Sequence, residues 1–275
     1  MKYKFDNSLD ERGKEKHLHT LDGVAMTGVS SVVGVLAKPL TWWASSLAVA
    51  KFGWIKKLDS RKSTKEEVEK NAIERLNVAI NRLNEIKELS DEQYLSLLDE
   101  AYKAHSVKLE KSAKKGTDLH EVLERFVKSE MGKEVKLTEE ETKLIQPFID
   151  WSKENVKKFI ASEAHCFSSR LFVGGIVDVV AELNDGTLAI IDFKSADKAY
   201  DNHFIQASGY AILAEENGLF DKTGQMNKKL EGKITKLIVV PFGAEVVVPQ
   251  IKVGVVEEYK RGFESAVVLY RLLNK

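Results

Sequence analysis

Two apolar segments joined by Asn184-Asp185-Gly186 constrain the fold of this chain more than any other feature. Residues 172–183 and 187–195 have the apolar composition of buried strands. Asn, Asp and Gly are the residues that tight hairpin turns favour. If these three residues form the turn, the strands are antiparallel, and counting back from the turn places Asp178 opposite Asp192.

This register gathers three charged residues on one face of the hairpin. Lys194 shares the face of Asp178 and Asp192 because side chains alternate along a strand. Opposed like charges destabilise a sheet, and a hard divalent cation such as Mg²⁺ compensates them by taking carboxylate oxygens as ligands. A lysine beside the metal can steer or deprotonate a water and offset charge on a phosphoryl group, so these residues predict metal-assisted phosphodiester hydrolysis.

Two alternatives remain open at this point. A turn of two or four residues would place Asp178 on the opposite face of the hairpin. The charges would also fit a solvent-exposed ion pair where the strand leaves the core, because charged side chains are usually exposed.

Composition excludes several classes of function. Lys plus Arg and Asp plus Glu both number 42, so no overall positive charge attracts nucleic acid, and DNA binding requires a local groove. The single cysteine, Cys166, excludes an internal disulfide, a zinc site built on several thiolates and a four-cysteine iron–sulfur cluster. We expect Cys166 to be a buried apolar residue in a reducing compartment.

The N-terminal region predicts neither export nor membrane insertion. Residues 1–19 carry charges of both signs and contain no apolar segment, which argues against a secretory signal or an organelle presequence. Residues 23–54 are the most apolar stretch, but Lys38 and Pro39 interrupt them, and the remainder is shorter than the roughly 18 residues that span a bilayer. We expect a cytoplasmic protein without a membrane partner.

Helical periodicity dominates the first half of the chain, and strand periodicity follows. After a short hairpin at Asp22-Gly23, residues 64–115 carry apolar residues every three or four positions, and further helices are expected after Gly116 and from Thr138. The later elements are strands at 163–169, 172–183, 187–195, 234–240 and 244–251, and helices at 201–217 and from Val255. We therefore expect an N-terminal hairpin and helical lobe, residues 1–115, and a sheet-containing domain, residues 116–275.

The sheet-containing region resembles the PD-(D/E)XK nucleases, and within them the RecB-like branch, most closely the mitochondrial genome maintenance exonucleases and related phage exonucleases. Asp178 matches the first acidic motif, and Asp192 and Lys194 match the (D/E)XK motif. Gln206 and Tyr210 match the Q-x-x-x-Y motif of the following helix. Val177 stands where the family name has proline, and the match is dense only over residues 163–213.

Two upstream segments extend the resemblance. The sequence "GTDLHEVLERF" is similar to the G-x-x-x-H motif of the branch, in which His120 is the histidine. The sequence "TLDGVAMTGVSSVVGVLAKPLTWWA" is similar to the opening segment of these exonucleases. Ser30-Ser31 stands where these exonucleases usually have Ser-Val-Thr.

The resemblance implies a fold, an activity and a set of site residues. The fold is α/β, with a restriction-endonuclease-like mixed β-sheet flanked by helices and an N-terminal helical lobe that threads DNA. The activity is that of a Mg²⁺- or Mn²⁺-dependent exonuclease acting on single-stranded DNA ends or flaps, with replication or recombination proteins as further partners. The implied metal ligands are His120, Asp178, Asp192 and the Phe193 carbonyl, with Lys194, Gln206 and Tyr210 in supporting catalytic roles.

Glu163 is a further ligand in many family members. The segment around residues 168–171, which joins its strand to the next, has no clear turn length. The sequence therefore does not fix the face of the sheet on which Glu163 lies.

Aromatic and basic residues near the N-terminus suggest a contact with single-stranded bases. Trp42, Trp43, Lys56 and Lys57 combine the ring faces and positive charges that bind such strands, although core packing is the more frequent role of such tryptophans. The alternatives to an exonuclease are an endonuclease or duplex-resecting nuclease of the same fold and a catalytically silent DNA-binding module. The intact Asp192 and Lys194 favour an enzyme.

Overall fold

The computed structural model describes residues 2–6, 8, 17–37, 41–243 and 249–274, and side chains throughout these ranges except at 41–42 and 109–117. The chain divides into two compact units. The sheet unit comprises Met1–Ala37 and Lys115–Lys275, and the helical unit comprises Lys38–Lys114.

The helices and strands of the described chain agree in type with most of the sequence-based expectations. The helices are α1 (Val29–Gly34), α2 (Thr41–Ala50), α3 (Lys65–Lys87), α4 (Asp91–Glu130), α5 (Glu139–Asn155), α6 (Asp201–Asn217) and α7 (Val256–Leu273). The strands are β1 (Tyr3–Asp6), β2 (Leu18–Leu21), β3 (Val24–Ala25), β4 (Thr27–Gly28), β5 (Val156–Ser168), β6 (Val173–Leu183), β7 (Leu188–Lys194), β8 (Leu219–Phe220), β9 (Met226–Lys228), β10 (Ile234–Pro241) and β11 (Gln250–Val253). The expected strand at 244–251 falls partly on residues 244–248, which lie outside the described residues.

The large sheet of the sheet unit is mixed. Its strand order is β11-β10-β7-β6-β5-β8-β9, with β4 pairing alongside β6. Strand β10 runs parallel to β7 and β4 runs parallel to β6, whereas β5, β6 and β7 form an antiparallel meander. The chain therefore has an α/β fold in which helices flank a mixed sheet.

Apolar side chains cover both faces of this sheet. On one face the core contains Val29 of α1, Phe204 of α6 and Phe263 of α7. On the other face it contains Leu123 of α4 and Phe148 of α5. Burial of this apolar surface fixes the sheet between two layers of helices, because each residue removed from water stabilises the fold. The expectation that Cys166 is buried is confirmed, since it lies in the first of these cores with no exposed surface.

The register predicted for the β6–β7 hairpin is confirmed. Val179 pairs with Ile191 and Ala181 pairs with Ala189, as a three-residue turn requires. The Leu183 N–H donates to the Thr187 carbonyl at 2.9 Å. Gly186 occupies the left-handed position of the turn with φ +79°, where a residue with a Cβ atom is strained.

The structure differs from the sequence-based organisation in three places. Strand β5 begins at Val156 rather than at residue 163. Gly116 lies inside the continuous helix α4 rather than before a new helix, because one glycine in a helix costs only about 1 kcal/mol relative to alanine. The N-terminal hairpin was expected with the helical lobe, but residues 1–37 group with the sheet unit because β4 pairs with β6. Within the described residues, no helix is both long enough and apolar enough to cross a membrane.

Candidate metal centre

Three acidic residues form a row across neighbouring strands β5, β6 and β7. The pairs Ser162 with Val179 and Ala164 with Val177 place Glu163 opposite Asp178. The β6–β7 register, extended by one residue beyond its last pair, places Asp178 opposite Asp192. The sequence predicted the second of these relationships, and the structure adds the first.

His120, Glu163 and Asp178 form a cluster that could hold a metal ion. Each residue offers one ligand atom, and these atoms lie within 4.8 Å of one another. The His120 Nε2 lies 3.4 Å from the Asp178 Oδ2. Helix α4 positions the imidazole, whose ring meets that of Phe193 edge to face at a centroid distance of 5.6 Å. The expected ligands His120 and Asp178 are therefore brought together, and Glu163 joins them.

Glu163 has an unusual backbone conformation. Its φ is +51°, in the left-handed region, although it lies within strand β5. A non-glycine residue held there costs on the order of 1–3 kcal/mol, and such strain concentrates at functional sites. The strain therefore supports a functional role for the Glu163 carboxylate in the cluster.

The surroundings of the cluster shift the pKa values of Glu163 and Asp178 in opposite directions. Burial and the neighbouring charge of Asp178 raise the pKa of Glu163 to about 7. Burial also acts to raise the pKa of Asp178, but the hydrogen bond from His120 and the charge of Lys194 outweigh it, so this pKa is lowered. The Phe193 N–H donates to the Asp178 Oδ2 at 2.7 Å and further stabilises the ionised form. The protein thus stabilises the ionised form of Asp178 well and that of Glu163 poorly. A bound cation would compensate the negative charge of Glu163.

His120 responds to the same charges. Burial acts to lower its pKa, but the hydrogen bond and charge of Asp178 outweigh burial, and the pKa is raised. The imidazole therefore binds a proton more readily than an ordinary histidine does. A metal ion that bound Nε2 would displace this proton, because only the neutral imidazole is a ligand.

Asp192 is buried with fewer hydrogen bonds from the described residues than a buried carboxylate usually has. It is 1% exposed, and the Lys194 Nζ lies 2.7 Å from its Oδ2. Apart from this ion pair, neither carboxylate oxygen accepts a hydrogen bond from a described residue. Burial raises the pKa of Asp192 to about 7 despite the opposing charge of Lys194. Buried carboxylates are normally hydrogen-bonded, so these oxygens fit a residue that receives a further cation.

Lys194 is held in its protonated form. Burial acts to lower its pKa, but the charges of Asp192 and Asp178 outweigh burial and raise it. The predicted grouping of Lys194 with the two aspartates is therefore present, and its ammonium group is a fixed positive charge beside the cluster.

Gln206 and Tyr210 lie one turn apart on helix α6 and contact each other. The Gln206 Nε2 donates to the Tyr210 hydroxyl at 3.1 Å and to the Ser30 Oγ of helix α1 at 3.3 Å. Burial and the charges of Asp192 and Asp178 raise the pKa of Tyr210 above its usual value, so the hydroxyl remains protonated. These residues connect helices α1 and α6 beside the carboxylates, and their expected supporting role stays a prediction.

The remaining predicted residues have different outcomes. Trp43, Lys56 and Lys57 belong to the helical unit, and Lys56 and Lys57 are exposed. The side chain of Trp42 lies outside the described residues. The contacts of these residues with DNA, and the Phe193 carbonyl as a metal ligand, stay predictions.

Glu124 is a residue near the cluster that sequence reasoning missed. Its charge acts on both His120 and Glu163, raising their pKa values. Glu124 follows His120 by four positions on helix α4, and residues with this spacing share a helix face. This spacing is the sequence signal that could have placed Glu124 beside His120.

The sequence matches no protein-family model, and no curated protein matches it significantly. The functional interpretation therefore depends on the arrangement of the side chains. The observations that matter are the row of carboxylates, the imidazole beside it and the buried ion pair of Asp192 with Lys194.

Proposed function

We propose that this chain is a Mg²⁺- or Mn²⁺-dependent deoxyribonuclease of the PD-(D/E)XK type that shortens single-stranded DNA from an end. The observation that carries this proposal is the cluster of His120, Glu163 and Asp178 beside the buried pair of Asp192 and Lys194. The supporting pattern is the order of motifs along the sequence, which resembles that of the RecB-like nucleases.

The donor set supports a hard divalent cation. Carboxylate oxygens suit Mg²⁺ and Mn²⁺, and an imidazole nitrogen is compatible with Mn²⁺ and more so with later transition metals. We assign His120, Glu163 and Asp178 as ligands. Asp192 is an additional ligand, because apart from its ion pair with Lys194 its buried oxygens accept no hydrogen bond from a described residue. A bound cation would lower the pKa of its water and polarise a phosphoryl oxygen.

Lys194 has the properties of an electrostatic group rather than a base. Because its pKa is raised by the charges of Asp192 and Asp178, the ammonium group keeps its proton at neutral pH. A fixed positive charge lowers the barrier when negative charge develops on a phosphoryl group, and its N–H groups can orient a water. We therefore assign Lys194 to transition-state stabilisation and water orientation.

Labelled substrates test the mode of cleavage. Linear single strands carrying a 5′ or a 3′ label and a closed single-stranded circle are incubated with Mg²⁺, with Mn²⁺ and with EDTA. An exonuclease shortens the linear strands in either metal and spares the circle, and the two labels give its polarity. Cutting of the circle would instead assign an endonuclease. DNA binding without cleavage in either metal would assign a silent binding module.

A further inference from the structure

A cavity of about 770 Å³ opens beside the candidate metal centre in the sheet unit. Its walls come from strand β5, from the β8–β9 hairpin and from the C-terminal part of helix α4. Glu163 belongs both to the cavity wall and to the metal cluster. A ligand in this cavity therefore lies next to the candidate metal position.

The acidic residues of the cavity wall already have partners. Glu124 forms an ion pair with Lys128, one turn further along helix α4. The Asp221 Oδ1 accepts hydrogen bonds from the Thr223 N–H at 2.8 Å and the Thr223 Oγ1 at 2.6 Å. The remaining acid, Glu163, belongs to the metal cluster.

Three lysines of the same wall have no such partners. Lys133, Lys222 and Lys228 are exposed and form no ion pair with any residue in the described ranges. The wall carries four lysines against three acids, so its net charge is positive even when every acid is ionised. Such a cavity favours an anionic ligand.

The cavity also presents aromatic surface. Phe5 and Phe220 contribute rings to its wall, and the ring of Phe5 packs against that of His165 at a centroid distance of 4.2 Å. Aromatic rings together with lysines suit a ligand with phosphate groups and planar bases. The volume lies within the range of about 300–1,000 Å³ that is typical of ligand pockets.

We propose that this cavity is a subsite for a nucleotide of the DNA strand, adjacent to the nucleotide whose phosphodiester bond is cut at the metal centre. This inference rests on the proposed nuclease function and deepens it. Lys133, Lys222 and Lys228 contact phosphates, and Phe5 stacks on a base. The subsite thus holds the strand in position next to Glu163.

The test compares two double variants that each remove two positive charges. Lys222→Ala with Lys228→Ala alters the cavity wall, and Lys143→Ala with Lys153→Ala alters exposed lysines on helix α5 as a control. Binding of a fluorescent dodecathymidine strand is measured by anisotropy in EDTA over a range of NaCl concentrations. The cavity variant should bind more weakly, and its plot of log K against log[NaCl] should be shallower by about 1.4, since each phosphate contact contributes about 0.7. A slope equal to that of the wild type would overturn the subsite.

A second comparison tests the base contact. The wild type should bind the dodecathymidine strand at least about fivefold more tightly than an abasic strand of equal length, because stacking contributes about 1–3 kcal/mol per base. Phe5→Leu should reduce this preference. A preference that is unchanged in Phe5→Leu would show that the cavity does not hold a base.

The same variants separate failure of the subsite from failure of the proposed function. With Mn²⁺, the cavity variant should have a lower kcat/KM on the oligonucleotide but an unchanged kcat/KM on bis(p-nitrophenyl) phosphate, which is too small to extend into the cavity. Equal kcat/KM values for cavity variant and wild type on both substrates would reject the subsite and keep the nuclease. Absence of metal-dependent hydrolysis by the wild type would reject the nuclease, and the binding measurements in EDTA would still decide the subsite.

Discussion

The His120 Nε2 lies 3.4 Å from the Asp178 Oδ2, which connects helix α4 to strand β6 at the point where three acidic residues lie side by side. The Asp178 Oδ2 also accepts the Phe193 N–H at 2.7 Å. Asp178 is thus held by groups from a helix and from the neighbouring strand. This fixed carboxylate is the anchor of the candidate metal centre, and its replacement should have the largest effect on metal binding.

Divalent cations should stabilise the folded protein. A cation at one hundred times its Kd, bound only to the native state, adds about 2.7 kcal/mol to the free energy of unfolding. We expect Mg²⁺ and Mn²⁺ to raise the Tm in differential scanning fluorimetry and Asp178→Asn to remove most of this increase. Asp185→Asn, in the exposed β6–β7 turn, should retain the response. An equal response in Asp178→Asn would exclude Asp178 as a ligand.

Replacement of Glu163 should have a pH-dependent effect on stability. The pKa of Glu163 is raised to about 7 in the folded state, mainly by burial, from an ordinary value of 4.5. The folded state therefore binds the proton more tightly, and this group reduces stability as pH rises from about 4.5 to about 7. In EDTA, urea denaturation should show Glu163→Gln gaining stability relative to the wild type across this interval.

Bound metal should reverse the sign of the stability difference between Glu163→Gln and the wild type. With saturating Mn²⁺ at pH 8, Glu163→Gln should be less stable than the wild type because it loses a ligand. A stability difference in EDTA that does not change with pH would contradict the assigned electrostatics of Glu163.

The Tyr210 hydroxyl should matter for activity more than for metal binding. Tyr210→Phe removes the hydrogen bond with Gln206, at a cost of about 1 kcal/mol in stability, and should lower kcat while leaving the metal-induced increase in Tm unchanged. Tyr259→Phe is the control, because its hydroxyl also makes one side-chain hydrogen bond, to the Asp201 Oδ1 at 2.8 Å, and Asp201 is not part of the row of Glu163, Asp178 and Asp192. Equal kcat values for the two variants would show that Tyr210 has only a structural role.

Two glycines in helices should respond oppositely to alanine. A Cβ atom at Gly209 of α6 would lie 2.5 Å from the Phe263 Cε2, so Gly209→Ala should destabilise the protein by about 1–3 kcal/mol. At Gly262 of α7 the nearest atom would lie at 3.7 Å, so Gly262→Ala should stabilise it by about 0.5–1 kcal/mol. Chemical denaturation measures both changes, and destabilisation by Gly262→Ala would contradict the packing of α6 against α7.

The sequence predicted the part of the site that depends on a short turn. Asn184-Asp185-Gly186 predicts a turn at this point, and the turn length decides which residues oppose each other. A three-residue turn places Asp178 opposite Asp192, and the structure decides between this length and the two- or four-residue turns that the sequence left open.

Glu163 could not be placed in the same way. Its strand pairs with β6 through Ser168 and Val173, and the four residues between them contain no turn signal of comparable strength. Phe172, with φ +48°, has a left-handed backbone conformation that could not be predicted from the sequence, because phenylalanine rarely adopts it. The contact of His120 with Asp178 depends on packing of α4 against the sheet, which local sequence patterns do not predict. Only the resemblance to the nuclease family predicted that His120 belongs to the site.

The measurement that tests the central claim most directly is the release of nucleotides from linear single-stranded DNA by the wild type, Lys194→Ala and Lys236→Ala. Lys194 and Lys236 have side chains that are 20% and 19% exposed, and each pairs with an aspartate, so the two variants are matched in burial and charge. We predict metal-dependent release by the wild type and by Lys236→Ala, and its loss in Lys194→Ala and in EDTA. Equal release by Lys194→Ala, or no release by the wild type in either metal, would contradict the account.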